Sequence, residues 1–328
     1  MNVDLLTNEL KKYATPKQGE YIDAVIKYGS NSKAADVMGV GRRTVDRSIN
    51  AAKRAAVEAG VVVDMQDTPR VLFLDIETAP ILAHIWQMWS EVRNIDQLLS
   101  DWYIMTWAAK WMGEEEVMHM SMHNSKGYKP GSENDRQVVT GIHSLLNEAD
   151  YIIAHNGDRF DVKKMNTRFL MHSLPPPVPY KSIDTLKMAK RSFSFTSNKL
   201  DYIARELLGE RKVEHDGLKL WQRCVQGDTQ SWEDMVEYNI QDVHLLERVY
   251  MKLRSWDHLH PSFATHTNKD KPACTVCGSE KVELTGDTVK TSAQAYLGYK
   301  CGDCGHQMRG RSSVRTYAQS QNTLMNAK

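Results

Sequence analysis

The run Val71-Leu72-Phe73-Leu74-Asp75-Ile76-Glu77-Thr78-Ala79-Pro80 decides how the rest of the chain is read. An apolar stretch ending in two carboxylates one residue apart predicts a buried central strand that delivers Asp75 and Glu77 to its end. Side chains alternate along a strand, so residues i and i+2 share a side and both acids reach one place. Buried like charges are costly unless a positive charge lies between them, and a divalent cation supplies one. A metal site is therefore expected. A lone D-x-E also fits a strand end whose acids are simply solvated, so the remaining sequence must choose.

The chain has 328 residues, 41% of them hydrophobic, enough for two or three packed domains. No apolar run reaches membrane-spanning length, and Met1-Asn2-Val3-Asp4 lacks the basic start and apolar core of a signal peptide. A cytoplasmic protein with no membrane partner is expected. The net charge of +1 hides an asymmetry. Lys and Arg against Asp and Glu number 10 to 8 over residues 1–65, 23 to 27 over 66–256, and 9 to 6 over 257–328. Basic flanks suit a polyanion, and an acidic middle suits a metal.

Outward from the opening stretch, residues 17–58 read as three short helices. Gly29-Ser30-Asn31-Ser32 ends the first and caps the second, and Gly39-Val40-Gly41 separates the second from the third. Ala35, Gly39 and Val45 at these spacings resemble a helix-turn-helix, which would present Arg42, Arg43, Thr44 and Arg47 to a DNA major groove. A three-helix packing module with a solvated basic face is the alternative. Downstream, β-rich stretches are expected at 81–89, 101–111 and 116–122, with Trp86, Trp89, Trp102, Trp107 and Trp111 read as core aromatics. An amphipathic helix follows over 134–148. Tyr151-Ile152-Ile153-Ala154-His155 is a second short strand, leading through Asn156-Gly157-Asp158-Arg159-Phe160-Asp161 into a helix over 162–172. Residues 174–179 are a proline-rich loop, 198–209 a helix with a glycine stop, and 231–256 a long helix that places Tyr238 and Asp242 on one face.

Acids at two strand exits, with Tyr-x3-Asp on a late helix, resemble the motifs of the DEDD, or DnaQ-like, superfamily of 3′-to-5′ exonucleases, which have a ribonuclease-H-like fold. The similarity is greatest to the proofreading domains of family B DNA polymerases. The motifs stand in order as Asp75-Ile76-Glu77, Asn156 to Asp161, and Tyr238-Asn239-Ile240-Gln241-Asp242, and the tyrosine marks the DEDDy branch. Lys199-Leu200-Asp201-Tyr202-Ile203-Ala204 matches the K-x2-hydrophobic-x-A element of protein-primed polymerases. The resemblance covers about residues 70 to 256. It implies that Asp75, Glu77, Asp161 and Asp242 hold two catalytic Mg²⁺ or Mn²⁺ ions, as suits hard oxygen ligands. It further implies that Tyr238 orients the attacking water, Lys199 neutralises the scissile phosphate, and Asn156 and Phe160 contact the 3′-terminal nucleotides. Asp158 reads as a nearby surface charge.

Cys274-Thr275-Val276-Cys277-Gly278 and Cys301-Gly302-Asp303-Cys304-Gly305 are two C-x2-C knuckles separated by 23 residues. In a reducing compartment they read as four thiolate ligands to one structural Zn²⁺, resembling a zinc ribbon. Arg309, Arg311 and Arg315 beyond it form either a phosphate-contacting strip or a solvated tail. Cys224 is left to pack in the core.

The expected fold is thus α/β. A ribonuclease-H-like mixed sheet flanked by helices follows an all-α helix-turn-helix domain and precedes a small β zinc ribbon. The expected boundaries are 1–62 for the helix-turn-helix, 63–69 for a linker, 70–256 for the exonuclease, 257–272 for a second linker and 273–328 for the ribbon. The expected substrate is DNA, with single-stranded 3′ ends in the active site and duplex on the helix-turn-helix. Too little chain follows residue 256 for a polymerase domain, so a separate polymerase, proofread in trans, or end-trimming in replication or recombination is expected. That arrangement suggests a phage or mobile-element protein in a bacterial host cytoplasm. A ribonuclease of the same superfamily, a non-catalytic DNA-binding adaptor and a structure-selective endonuclease are the alternatives.

Overall fold

The structure is a computed structural model and describes residues 10–28, 31–59, 68–86, 89, 94–211, 216–266 and 271–325. The chain divides into two compact units: three N-terminal helices form the first, and the sheet, its helices and the cysteine-rich segment form the second.

In the first unit, helices α1 (Pro16–Tyr28), α2 (Asn31–Val37) and α3 (Arg42–Glu58) enclose a small core of Tyr21, Ile22, Ala35, Val45, Ile49, Ala52 and Ala56. Alanines at three of these positions let the helices approach closely. The turn between α2 and α3 depends on Gly39, whose φ of 63° lies in the left-handed region. Its N–H reaches the Asp36 carbonyl and that of Val40 the Ala35 carbonyl, the paired bonds of a Schellman stop. Thr44 and Arg47 are exposed on α3 and Arg42 is half-buried, while the Arg43 side chain lies outside the described ones.

The second unit is built on a five-stranded sheet. Its strands are β1 (Val71–Thr78), β2 (Ile104–Trp111), β3 (Val117–Ser121), β4 (Tyr151–Ala154) and β5 (Lys181–Asp184), in spatial order β3-β2-β1-β4-β5. The β1–β2 and β2–β3 pairs are antiparallel, whereas β1–β4 and β4–β5 are parallel. Helices cover both faces: α4 (Arg136–Leu146), α5 (Asp161–Met171), α6 (Thr185–Ser192), α7 (Leu200–Leu208), α8 (Leu218–Gln226) and the 25-residue α9 (Thr229–Leu253).

Strand parity assigns the faces. Leu72, Leu74 and Ile76 enter one core with α4, α5 and α8, while Val71 and Phe73 enter the other with α6, α7 and most of α9. Residues 71–74 are all at most 1% exposed, so each contributes about 1.5–3 kcal/mol of apolar burial and fixes the strand's register. Because Asp75 and Glu77 share the parity of Val71 and Phe73, they face the α9 side. None of the helices in the described residues is long and apolar enough to cross a membrane.

The stretch expected as strand 81–89 instead leaves the sheet. Among its described residues, only Leu82–Ala83 pairs, with Leu98–Ser100, in a small exposed ribbon. Trp107 and Trp111 are core residues, but Trp86 and Trp89 are 94% and 91% exposed and Trp102 is half-buried, which corrects the core reading of those three. The ribbon follows the end of β1, and Trp86 and Trp89 lie beyond its paired residues.

The segment expected as a second linker is packed against the sheet and its helices over residues 257–265. Asp257 is buried and paired with Arg191 at 2.5 Å, and the Phe263 ring lies 4.7 Å from that of Tyr151. His260 donates from Nδ1 to the Pro261 carbonyl, so its Nε2 accepts the Tyr250 hydroxyl at 2.8 Å. Burial pushes the His260 imidazolium down to about 4. A pKa depressed on folding gives stability that is present above pH 6.5 and lost as the pH falls through about 4, of order 3 kcal/mol. His260→Gln keeps a partner for Tyr250 but cannot take a proton. Its urea midpoint should fall less than the parent's between pH 6.5 and 4.

The C-terminal strands β6 (Val282–Lys290), β7 (Ala295–Cys301) and β8 (Gln307–Ser313) form an antiparallel sheet in the order β8-β7-β6, followed by the short helix α10 (Tyr317–Gln321). It docks on the α9 side through the Phe263 N–H to the Thr275 carbonyl and His306 Nδ1 to the Ser255 carbonyl, both at 2.7 Å.

Candidate metal centre

At the carboxyl end of β1, carboxylate oxygens of Asp75, Glu77 and Asp242 lie within 4.8 Å of one another. Two arrive by strand parity and the third from α9, where Asp242 is 2% exposed among the apolar residues that cover the sheet. A register shift between Glu77 and Thr78 ends the regular pairing beside them. Asn239, one turn before Val243 and fully buried, donates to both the carbonyl and the carboxylate of Asp75, at 3.2 and 2.7 Å. That side chain ties α9 to β1 at the acids.

Asp161 enters from a different direction. It opens α5, which packs on the opposite face of the sheet, and its carboxylate accepts the Ile76 N–H at 3.2 Å. It thus touches the backbone between Asp75 and Glu77 but stands outside the three-acid group. Burial pushes its carboxyl up to about 7, and the Asp184 carboxylate adds to the rise. Ionised oxygens brought this close in a partly dry site need a cation among them, and an all-carboxylate set suits Mg²⁺ or Mn²⁺.

The Asn156–Asp161 loop leaves β4 beside the end of β1, as parallel neighbours require. It is held by Asp184, which the sequence reading passed over. At the end of β5, Asp184 accepts N–H groups from Asn156 (2.9 Å), Asp158 (3.3 Å), Leu186 (3.0 Å) and Lys187 (3.4 Å). It therefore caps α6 and fixes Asn156 at a left-handed φ of 67°. A strand ending in an acid before a helical run is a readable cap signal. Asp184→Ala would leave these donors unpaired and should cost about 2–3 kcal/mol in a urea titration; Asp184→Asn should recover part of it.

The other predicted site residues are placed as follows. Asn156 is half-buried and Phe160 is 38% exposed. The Lys164 ammonium stands 3.6 Å from the Trp102 ring centroid and 5.6 Å from that of Phe160. Partial burial lowers the Lys164 pKa, against the opposing charge of Asp101. Tyr238 is buried on α9, one turn from Asp242, with its ring edge-on to Trp221 at 6.3 Å. Lys199 is exposed at the start of α7. Asp158 pairs with Lys187 at 2.6 Å, and although burial opposes it, that hydrogen bond leaves its carboxyl below the usual range. Cys224 is buried in the core, with its thiol on the Ser231 carbonyl.

The four knuckle cysteines converge in the C-terminal sheet. Their sulfurs lie within 4.8 Å of one another, with Cys274–Cys304 and Cys277–Cys301 each at 3.6 Å. That is far beyond a disulfide's ~2.05 Å and close to the ~3.8 Å between ligands on a tetrahedral ion with ~2.3 Å bonds. The N–H groups of Val276 and Cys304 point at the sulfurs of Cys274 and Cys301. The donor set and spacing fit one Zn²⁺.

Residues 104–254 match the family model RNase_H_2, of the RNase_H superfamily. The matched span forms an RNase_H-superfamily domain; it contributes β2 to β5 of the mixed five-stranded sheet and helices α4 to α9, and β1 completes the sheet from outside it. Such domains are usually nucleolytic and use divalent metals. The span contains Asp161, Tyr238 and Asp242; Asp75 and Glu77 precede it and join through the sheet. Among solved structures the chain is similar to the family B DNA polymerase from the hyperthermophilic archaeon Pyrobaculum calidifontis, with 15% sequence identity and a TM-score of 0.43. That similarity covers 57% of this chain and 25% of the polymerase, so the chain spans a quarter of its length. A search of curated proteins returns no match.

Proposed function

We propose that the protein is a metal-dependent 3′-to-5′ exonuclease acting on DNA. The observation that carries this reading is the convergence of Asp75, Glu77 and Asp242 within 4.8 Å. These acids, with Asp161 bonded at Ile76, would hold two Mg²⁺ or Mn²⁺ ions, which supply a hydroxide at neutral pH and relieve charge on the leaving 3′ oxygen. Tyr238 orients the attacking water from one turn away. Asn239 holds Asp75 in position against α9. Phe160, exposed beside Asp161, offers its face to the 3′-terminal base, with Asn156 at the start of the same loop. Lys199 meets the scissile phosphate, and Lys164, held on Trp102, meets the next one.

The flanking parts recruit this core to DNA. The α2-turn-α3 unit acts as a helix-turn-helix through Arg42, Arg43, Thr44 and Arg47 on duplex, and the four-cysteine sheet acts as a zinc ribbon. The setting is phage replication or recombination, with proofreading in trans for a separate polymerase.

Digestion of 5′-labelled single-stranded DNA and RNA with Mg²⁺ tests the reading. The expected result is a ladder shortening from the 3′ end, faster on DNA. Faster loss of RNA would make the protein a ribonuclease of the same superfamily. Internal cuts on a circular strand, or no cleavage at all, would overturn the exonuclease.

A further inference from the structure

The C-terminal sheet carries a second cleft, of about 690 Å³, away from the acids. Its origin is a row of three cross-strand positions. Gly298 on β7 pairs with Arg309 on β8, and on its other side β6 is interrupted by a register shift between Leu284 and Thr288. A Cβ at Gly298 would come within 2.5 Å of the Thr285 hydroxyl and 3.0 Å of the Asp287 carbonyl. The Thr285 hydroxyl and the Asp287 carbonyl close over Gly298 and form one wall of the trough, with Arg309 lining the other. A further shift in β8 beyond Arg309 widens it at Gly310 and brings in Arg311, and Tyr299 contributes a half-buried ring.

The Arg309 guanidinium is held in advance. Its centre stacks 4.1 Å from the Tyr296 ring centroid and one N–H reaches the Gly310 carbonyl at 3.2 Å, so little rotamer freedom is left to lose on binding. Arg311 is exposed beside it, and His258 closes one end of the cleft. Two arginines on one wall complement phosphates, an aromatic ring offers a stacking face, and the carboxylate and hydroxyl opposite can meet base edges. The volume suits one or two nucleotides.

We propose that this cleft binds single-stranded nucleic acid, with backbone phosphates on Arg309 and Arg311 and a base against Tyr299. The proposal rests on the nuclease reading only for the source of the strand, which would be the one whose 3′ end reaches the acids. Because the sheet is bonded to the core at Ser255 and Phe263, the cleft holds its strand at a fixed place relative to the active site.

The test uses the full, zinc-loaded chain carrying Asp242→Asn, so that no strand is cut, and a circular single-stranded DNA, which has no 3′ end. Arg309→Ala with Arg311→Ala should weaken binding at least about tenfold and reduce the slope of log Kd against log salt by about 1.4, two phosphates' worth. Gly310→Val, whose Cβ meets only ordinary contacts at 3.5 Å, should fill the trough and weaken binding while keeping zinc content and melting temperature. Affinity for blunt duplex should stay within about twofold in both. Unchanged affinity and salt slope for the circular strand, or equal losses on circle and duplex, would overturn the proposal. Failure of the nuclease reading would instead appear as absent hydrolysis by the parent chain, leaving this binding result intact.

Discussion

Asp242→Ala should lower the rate of Mg²⁺-dependent hydrolysis by about three orders of magnitude or more, the several kcal/mol that metal-assisted charge stabilisation contributes. The same change should raise the melting temperature of the metal-free protein. Asp242 is 2% exposed and its carboxylate lies within 4.8 Å of those of Asp75 and Glu77. At an effective dielectric of about 20, each ionised pair at such a distance repels by a few kcal/mol, reduced where Asp75 and Glu77 meet solvent. Removing one charge relieves that repulsion, at about 2–4 °C per kcal/mol for a domain of this size. Adding Mg²⁺ reverses the order, because only the parent gains the stability of a bound ion. Loss of activity with gain of metal-free stability separates a ligand from a packing residue. Asp158→Asn is the control: its partner is the surface Lys187, and both quantities should stay near the parent values.

The second large effect concerns the four cysteines. Cys277→Ser, or a strong chelator on the parent, should release one Zn²⁺ per chain and melt β6–β8, because structural zinc contributes roughly 10–16 kcal/mol to such small units. The sheet has little else to hold it. Its buried apolar cluster is Cys274, Val276 and Cys301, with Val282 and Met308 packed alongside, and His306 is the buried polar side chain beside it. Limited proteolysis should then cut between residues 274 and 313, while the five-stranded core, with its own two clusters of buried residues, stays intact. Zinc retained in Cys277→Ser, or a protease pattern unchanged by the chelator, would contradict the assignment.

How much of this was legible in the sequence follows from where the forces are local. The parity of Val71, Phe73, Asp75 and Glu77 is a property of any strand, so one apolar run predicted which acids share a face. Periodicity along α9 sets Tyr238 and Asp242 on one helix face, while the place of Asp242 beside the two strand acids comes only from the resemblance of its motif. The departures arise where a tertiary neighbour decides. Trp86 and Trp89 have the composition of core residues, but they follow a segment that leaves the sheet, and both are exposed. Residues 257–265 look polar, yet Phe263 and the neutral His260 anchor them beside Tyr151 and Tyr250. Asp184 and Asn239 act by hydrogen bonds to backbone or carboxylate far away in the chain, which no spacing reports. Asp161 could be read as a member of the acid cluster, but not that it would reach Ile76 from the other face of the sheet.

Titration of the metal-free protein with Mn²⁺, followed by the paramagnetic signal of the free ion, tests the central claim most directly. The account predicts that the parent chain binds two Mn²⁺ ions and that Asp242→Ala and Asp75→Ala each lose at least one, with Mg²⁺ competing for the same places. Equal Mn²⁺ binding by the parent and both variants would contradict it.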